Sequence, residues 1–239
     1  MSELKNKVVL ITGGSSGYGK ATADLFVKEG AKVIIAARNE QALLEAKQET
    51  GCADYLSMDV TKYEDWEKAY DFVKEKYGTI DILVNNAGGG VAICDAVDQT
   101  PENIDKSIAL NLNSAIYGSK IFGAMMKEKR DGTIINVSSV CAKEAWPGFA
   151  VYAAAKWGVL GFSKGLYVEM RPYNVRATCI IPASANTGFQ RNANVPESGP
   201  MLLTPKDVAE TILFTCKLPQ TAVVEEVTVW GIDQEVIPL

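Results

Sequence analysis

Along the chain, short apolar, β-branched runs alternate with longer stretches in which apolar residues recur at helical spacing. The runs KVVLIT (7–12), KVIIA (32–36), DILVN (81–85), TIINVS (133–138), NVRATCI (174–180) and EEVTVW (225–230) predict strands, with a weaker one at YLSMD (55–59). Most are apolar almost throughout, as parallel strands covered on both faces must be. Helix-sized segments lie between them, at 18–29, 40–49, 63–78, 100–129, 151–171 and 204–217. Two of these open on Thr-Pro, with Thr100 and Thr204 as N-caps and proline in the first helical position. Gly78 stops a third. Such alternation predicts an α/β fold: one doubly wound domain over residues 1–239, its parallel sheet of about seven strands flanked by helices. The rhythm breaks at 183–203, a polar stretch rich in Asn, Ser, Pro and Gly. A disordered surface insert and a substrate-covering loop both fit it. The loop is preferred, because long connections without regular structure in compact α/β enzymes are often lids.

Composition narrows the classes. With 24 basic and 29 acidic residues the formal charge is −5, which speaks against general nucleic-acid binding. The five cysteines are scattered without a C-x-x-C pair and there is no histidine, so a metal site lacks its usual ligands and reduced thiols are expected. The first residues carry no apolar signal core and no run reaches bilayer length. A cytoplasmic protein without membrane contact is the expectation.

Three stretches carry candidate chemistry. TGGSSGYG (12–19) follows the first strand and opens a helix. Gly13, Gly17 and Gly19 permit a tight turn and let backbone N–H groups approach a pyrophosphate, with Ser15 and Ser16 as added donors. At the tip of the second strand stands Arg38 rather than an acidic residue. A guanidinium there can pair with a ribose 2′-phosphate, so NADP(H) is preferred and NAD(H) is the alternative. Asp59, after the third strand, suits either an adenine contact or a turn. The tetrapeptide NNAG (85–88) ends the fourth strand, and Asn111 lies inside an otherwise apolar helix, where asparagine is a weak former. Ser139 closes the fifth strand, and Tyr152 and Lys156 stand one helical turn apart. A neighbouring ammonium favours phenolate, so Tyr152 is a candidate acid/base in a chain without histidine.

Together, TGGSSGYG, NNAG, Asn111, Ser139 and YAAAK resemble the short-chain dehydrogenase/reductase family in order and separation across essentially the whole chain. The resemblance implies a Rossmann-type domain and hydride transfer between a nicotinamide cofactor and a carbonyl/alcohol pair. It also implies a catalytic tetrad of Asn111, Ser139, Tyr152 and Lys156. The implied cofactor contacts are Gly13, Ser15, Ser16, Gly17, Tyr18, Gly19, Arg38, Asp59, Val60, Asn85, Ala87, Gly88, Tyr152, Lys156, Pro182, Ala185 and Thr187. Substrate walls are expected from Cys141, Glu144, Trp146, Phe149, Phe189 and Gln190, with Lys143 or Arg191 available to an acidic substrate. Three departures stand out: Tyr18 where a small aliphatic residue is usual, Ala183 in place of a glycine, and a C-terminus without the Asp-Gly-Gly ending. A homodimer or homotetramer is implied through the helices at 100–129 and 151–171. A non-catalytic nucleotide sensor on the same fold is the rival from another class.

Overall fold

The computed structural model describes residues 3–185 and 203–234. Among these, β1 (Val8–Thr12), β2 (Lys32–Ala37), β3 (Asp54–Ser57), β4 (Ile82–Asn85), β5 (Gly132–Val137), β6 (Val175–Pro182) and β7 (Glu226–Val229) build one sheet. All its pairings are parallel, in the order β3-β2-β1-β4-β5-β6-β7. The helices are α1 (Gly17–Lys28), α2 (Glu40–Thr50), α3 (Tyr63–Tyr77), α4 (Pro101–Ile108), α5 (Ser114–Lys129), α6 (Ala150–Met170) and α7 (Pro205–Lys217).

The unbroken apolar strands are explained by two cores, one on each face of the sheet. Val9 and Ile11 of β1 join Phe26, Leu43 and Ile212 on one side, while Val8 and Leu10 join Trp66, Val73 and Phe122 on the other. Each such side chain contributes roughly 1.5–3 kcal/mol by leaving water. Sequence order reverses beside β1, which has β2 on one flank and β4 on the other. Crevices at the carboxyl ends of strands open at such a reversal.

Thr100 and Thr204 cap α4 and α7 as expected, the latter in a reciprocal box with Asp207. The single helix expected over 100–129 is interrupted. Between α4 and α5, Ala109–Asn113 form a π-helical turn. The Asn111 amide takes the Ser107 carbonyl at 3.1 Å and also reaches out to Gly89, competing with the regular backbone ladder. None of the described helices is long and apolar enough to cross a membrane. The five cysteines are unpaired, and only Cys94 is exposed.

Candidate active site

Two loops meet at the carboxyl ends of β1 and β4. Thr12 closes β1, and its hydroxyl receives the backbone N–H groups of Asn86 and Ala87, both at 3.0 Å. The Asn86 side chain returns a bond to the Thr12 carbonyl at 2.8 Å. The glycine loop leaves Thr12 through Gly13 and enters α1 through Gly17, at φ values of 66° and 50° that other residues resist. Ser16 is extended at the N-cap of α1, yet its side chain makes no capping bond. The first N–H groups of this helix are thus left for another acceptor. A β-carbon on Gly19 would collide with the Gly13 carbonyl, so the loop can close only with glycine there. A tight loop with uncapped helix donors fits the pyrophosphate of a dinucleotide.

The second half of the site comes from β5, α6 and the π turn. Ser139 follows β5 and caps the short turn Val140–Ala142, accepting from the Cys141 N–H at 3.2 Å. Its hydroxyl also hydrogen-bonds the Tyr152 phenol. Tyr152 and Lys156, one turn apart on α6, are 9% and 3% exposed. The Lys156 ammonium donates to the Val137 carbonyl at 3.0 Å and lies 5.7 Å from the Tyr152 ring centroid. Ser138 holds this turn of α6 from below, donating to the Lys156 carbonyl at 2.8 Å. Asn111 grips the backbone of Gly89 reciprocally: its amide nitrogen donates to the carbonyl and its oxygen accepts the N–H, each at 2.9 Å. Gly88 fits between these groups. A β-carbon there would stand 3.0 Å from the Asn111 Oδ1 and 3.2 Å from the Lys156 Nζ. Of the tetrad read from sequence, Asn111 and Lys156 thus meet about Gly88, while Tyr152 stands one turn from Lys156 on α6 with Ser139 beside it.

Burial acts on both titrating members in the direction of neutrality. It pushes the Tyr152 phenol far above the ordinary phenol range; Cys141 and Tyr18 add to this and the Ser139 bond opposes it. Burial likewise lowers Lys156 to about 8. Desolvation therefore governs the phenol in this pocket, and the influence that opposes it is the Ser139 bond rather than the expected one from the Lys156 ammonium.

The match to known proteins follows the same residues. A profile described as short chain dehydrogenase matches residues 7–198. The chain belongs to the short-chain dehydrogenase family. Among curated relatives, cyclopentanol dehydrogenase of Comamonas sp. is 33% identical over 228 residues, covering 90% of this chain and 91% of its own. Among solved structures, serine dehydrogenase complexed with NADP+ superposes with a TM-score of 0.92 at 28% identity, covering 97% and 98% of the two chains. A 3-ketoacyl-(acyl-carrier-protein) reductase from Brucella melitensis complexed with NADH gives 0.89 at 32%, covering 96% and 99%. These findings place the chain among the oxidoreductases of the short-chain dehydrogenase family, two of whose structural relatives hold NADP+ and NADH.

Other residues singled out from the sequence are placed variously. Arg38 is exposed just beyond β2, with no carboxylate within ion-pair distance among the described residues. Asp59 forms a turn, its Oδ1 accepting from the Thr61 N–H at 3.0 Å and hydroxyl at 2.8 Å. The Val60 side chain is buried in the core, and its carbonyl receives the Trp66 indole. Asn85 points into the interior, where its amide donates to the Ala115 carbonyl, the Ser119 hydroxyl and the Asn136 side chain. It ties β4 to α5 and β5 and does not face the crevice. Pro182 ends β6, while Ala185 is buried and bridges to Leu203. Phe149 meets the Tyr152 ring edge-on at 6.1 Å, Trp146 packs against the core, and Cys141 is buried beside Ser139. Glu144 is half-buried in the same turn, its N–H bonded to the Val140 carbonyl. Lys143 bonds Glu226 at 2.6 Å and Thr228 at 3.1 Å, so two of its three donors are engaged by β7. Thr187, Phe189, Gln190, Arg191 and most of the 183–203 loop lie outside the described residues.

Thr12, Gly89 and Ser138 were not singled out as individual residues from the sequence. Thr12 lies inside a motif that was, and Ser138 precedes a chosen serine. Their adjacency to those motifs was the available signal.

Proposed function

We propose that this chain is a dehydrogenase/reductase interconverting a secondary alcohol and its ketone, or a primary alcohol and its aldehyde, with Tyr152 as general acid/base and NADP(H) as preferred cofactor. The observation that carries this reading is the convergence of Ser139, Tyr152, Lys156 and Asn111 next to the glycine loop. When bound, the cofactor supplies or accepts the hydride. The chain's own residues handle the oxygen and its proton. The Ser139 and Tyr152 hydroxyls, already in contact, bracket the substrate oxygen. Tyr152 passes its proton to that oxygen in reduction and removes it in oxidation. Lys156 is the cation nearest to the phenolate that results, and its own depressed affinity for protons lets it exchange one near neutral pH. Asn111 Oδ1 keeps a second lone pair beyond the Gly89 bond, suited to a water linking Lys156 outward.

Replacing Tyr152 by Phe is expected to lower kcat by about 10²–10⁴ while leaving the cofactor Kd unchanged. A variant that keeps its turnover would remove Tyr152 from the chemistry, and a wild-type chain binding dinucleotide without turning over any carbonyl or alcohol of a broad panel would favour a sensor. Arg38 supports NADP(H), whereas the NADH-bound relative keeps NAD(H) as a second reading. Arg38→Asp is expected to shift the preference at least about tenfold toward NAD(H), the scale of one lost charge-assisted contact; an unmoved preference discards the role. The apolar walls, Trp146 and Phe149 among them, support a medium-sized hydrophobic or cyclic substrate, in keeping with the name of the cyclopentanol-oxidising relative. Assembly into a dimer or tetramer is supported by the outer face of α6, where Trp157 is 54% exposed and Gly161 and Gly165 leave open space beside them. Light scattering on the purified protein tests it, a monomer counting against.

A further inference from the structure

One carboxylate links three of the segments around the site. β7 sends Val227 and Val229 into the core, which leaves Glu226 and Thr228 on the opposite face of the strand. Lys143, just beyond the serine turn Val140–Ala142, reaches across to that face. Its ammonium lies 2.6 Å from the Glu226 Oε1 and 3.1 Å from the Thr228 hydroxyl. Lys164 comes from α6, roughly three turns beyond Tyr152. Its ammonium stands 2.9 Å from the Glu226 Oε2, an ion contact out of line for a hydrogen bond. Lys143 above all, and then Lys164, hold the Glu226 carboxyl below the ordinary carboxylate range, so it is charged at neutral pH. Backbone bonds carry these contacts inward. The Lys143 N–H donates to the Val140 carbonyl and the Ala142 N–H to the Ser139 carbonyl, each at 2.8 Å.

We infer that Glu226 is a positioning residue: through Lys143 and Lys164 it locks the serine turn against the tyrosine helix and keeps the Ser139 and Tyr152 hydroxyls in register. The inference rests on the function proposed above and deepens it. Ser139 and Tyr152 stand on separate segments, so their hydrogen bond lasts only while those segments keep their spacing. Half-exposed ion pairs add little to global stability, but charges drawn from three segments fix how those segments sit against one another. Displacing a reacting group by about 1 Å costs up to about 10²-fold in rate, so slippage of the turn is felt in turnover.

The test pairs turnover with the labelling of Cys141, a buried thiol inside the serine turn. Wild type, Glu226→Gln, Lys143→Met, Lys143→Arg and Lys164→Met are alkylated with iodoacetamide and read by peptide mass spectrometry, with the exposed neighbour Glu225→Gln as control. Cys216, buried toward the far end of the sheet, reports global loosening. Glu226→Gln and Lys143→Met are expected to label at Cys141 about tenfold faster, with Cys216 unchanged. On the carbonyl of a broad panel that wild type reduces fastest, both should lose about tenfold in kcat while the cofactor Kd stays within about twofold. Lys143→Arg, which keeps the charge, and Glu225→Gln should match wild type in both measurements. Lys164→Met, cutting only the helix contact, should lower kcat about threefold with Cys141 still protected. Unchanged Cys141 labelling in Glu226→Gln overturns the inference, as does labelling that rises equally at Cys216. A turn that opens without loss of kcat overturns the positioning role, and an unmoved kcat in Lys164→Met breaks the link to α6 and overturns it too. A wild type that turns over no member of the panel removes the functional reading and the positioning role with it, whereas faster Cys141 labelling in the variants would still show the brace.

Discussion

Among the described residues, Lys156 and Arg176 are both buried cations without a carboxylate partner, and they sit toward opposite ends of the same sheet. Lys156, at the carboxyl end, has the Val137 carbonyl as its protein hydrogen-bond partner. Arg176, on β6, is 7% exposed, and each of its nitrogens finds an acceptor. Its Nε and one terminal nitrogen donate to the Thr133 hydroxyl, and the terminal pair also reaches the carbonyls of Cys216, Leu218, Pro219 and Ala222. Those carbonyls belong to the C-terminal end of α7 and the turn after it, where the helix dipole favours positive charge. Nearby, Asp81 accepts the Val8 N–H and pairs with Lys7 and Lys129. One end of the sheet is thus closed by satisfied charges; the other keeps a cation with donors to spare. Full hydrogen bonding makes a buried charge structural, and incomplete bonding leaves it able to exchange protons and hold a ligand.

Removing each charge breaks the comparison in opposite ways. Lys156→Met is expected to cost roughly 10²-fold or more in kcat, since the cation beside the proposed acid/base, Tyr152, is lost. The same variant should be more stable than wild type near pH 7. A lysine lowered to about 8 when folded, from an ordinary 10.5, binds fewer protons folded than unfolded between those values. Its burial therefore penalises folding fully below pH 8, and the penalty fades as pH rises toward 10.5. Its size is on the order of 3 kcal/mol. Denaturant melts of the two proteins should show the variant's advantage at pH 7 shrinking by pH 10; a constant gap refutes the assignment.

Arg176→Met should do the reverse, lowering stability by about 3 kcal/mol because several buried carbonyls lose their donor. Turnover per folded molecule should remain at the wild-type level. A large loss of kcat without a change in melting would mean that the far end of the sheet reaches the chemistry. The smallest effect sharpens the contrast: Lys106, paired with Glu102 at 2.6 Å on the exposed surface of α4, should leave the denaturation midpoint nearly unmoved as Lys106→Ala.

Much of this was legible in one dimension. Apolar runs located the strands because parallel strands are buried on both faces, and β1 shows it by sending alternate residues into different cores. Thr-Pro openings located α4 and α7 because capping is local. The break in the 100–129 helix was not legible, since Asn111 distorts it by bonding Gly89, distant in sequence. The asparagines of NNAG read as strand-tip fixers, cofactor contacts or both, and the fold shows the first part: Asn85 bonds the interior and Asn86 the tip of β1. Lys143 read as available, but its partner lies on β7.

The order of residues alone determined the alternating strands and helices, the glycine turn and the one-turn spacing of Tyr152 and Lys156, because each depends on neighbours within a few positions. Only the folded chain decided how many partners each buried charge would have. Desolvation and hydrogen bonding are summed over segments that meet in space, and those sums leave Lys156 poised near neutral pH and Arg176 locked.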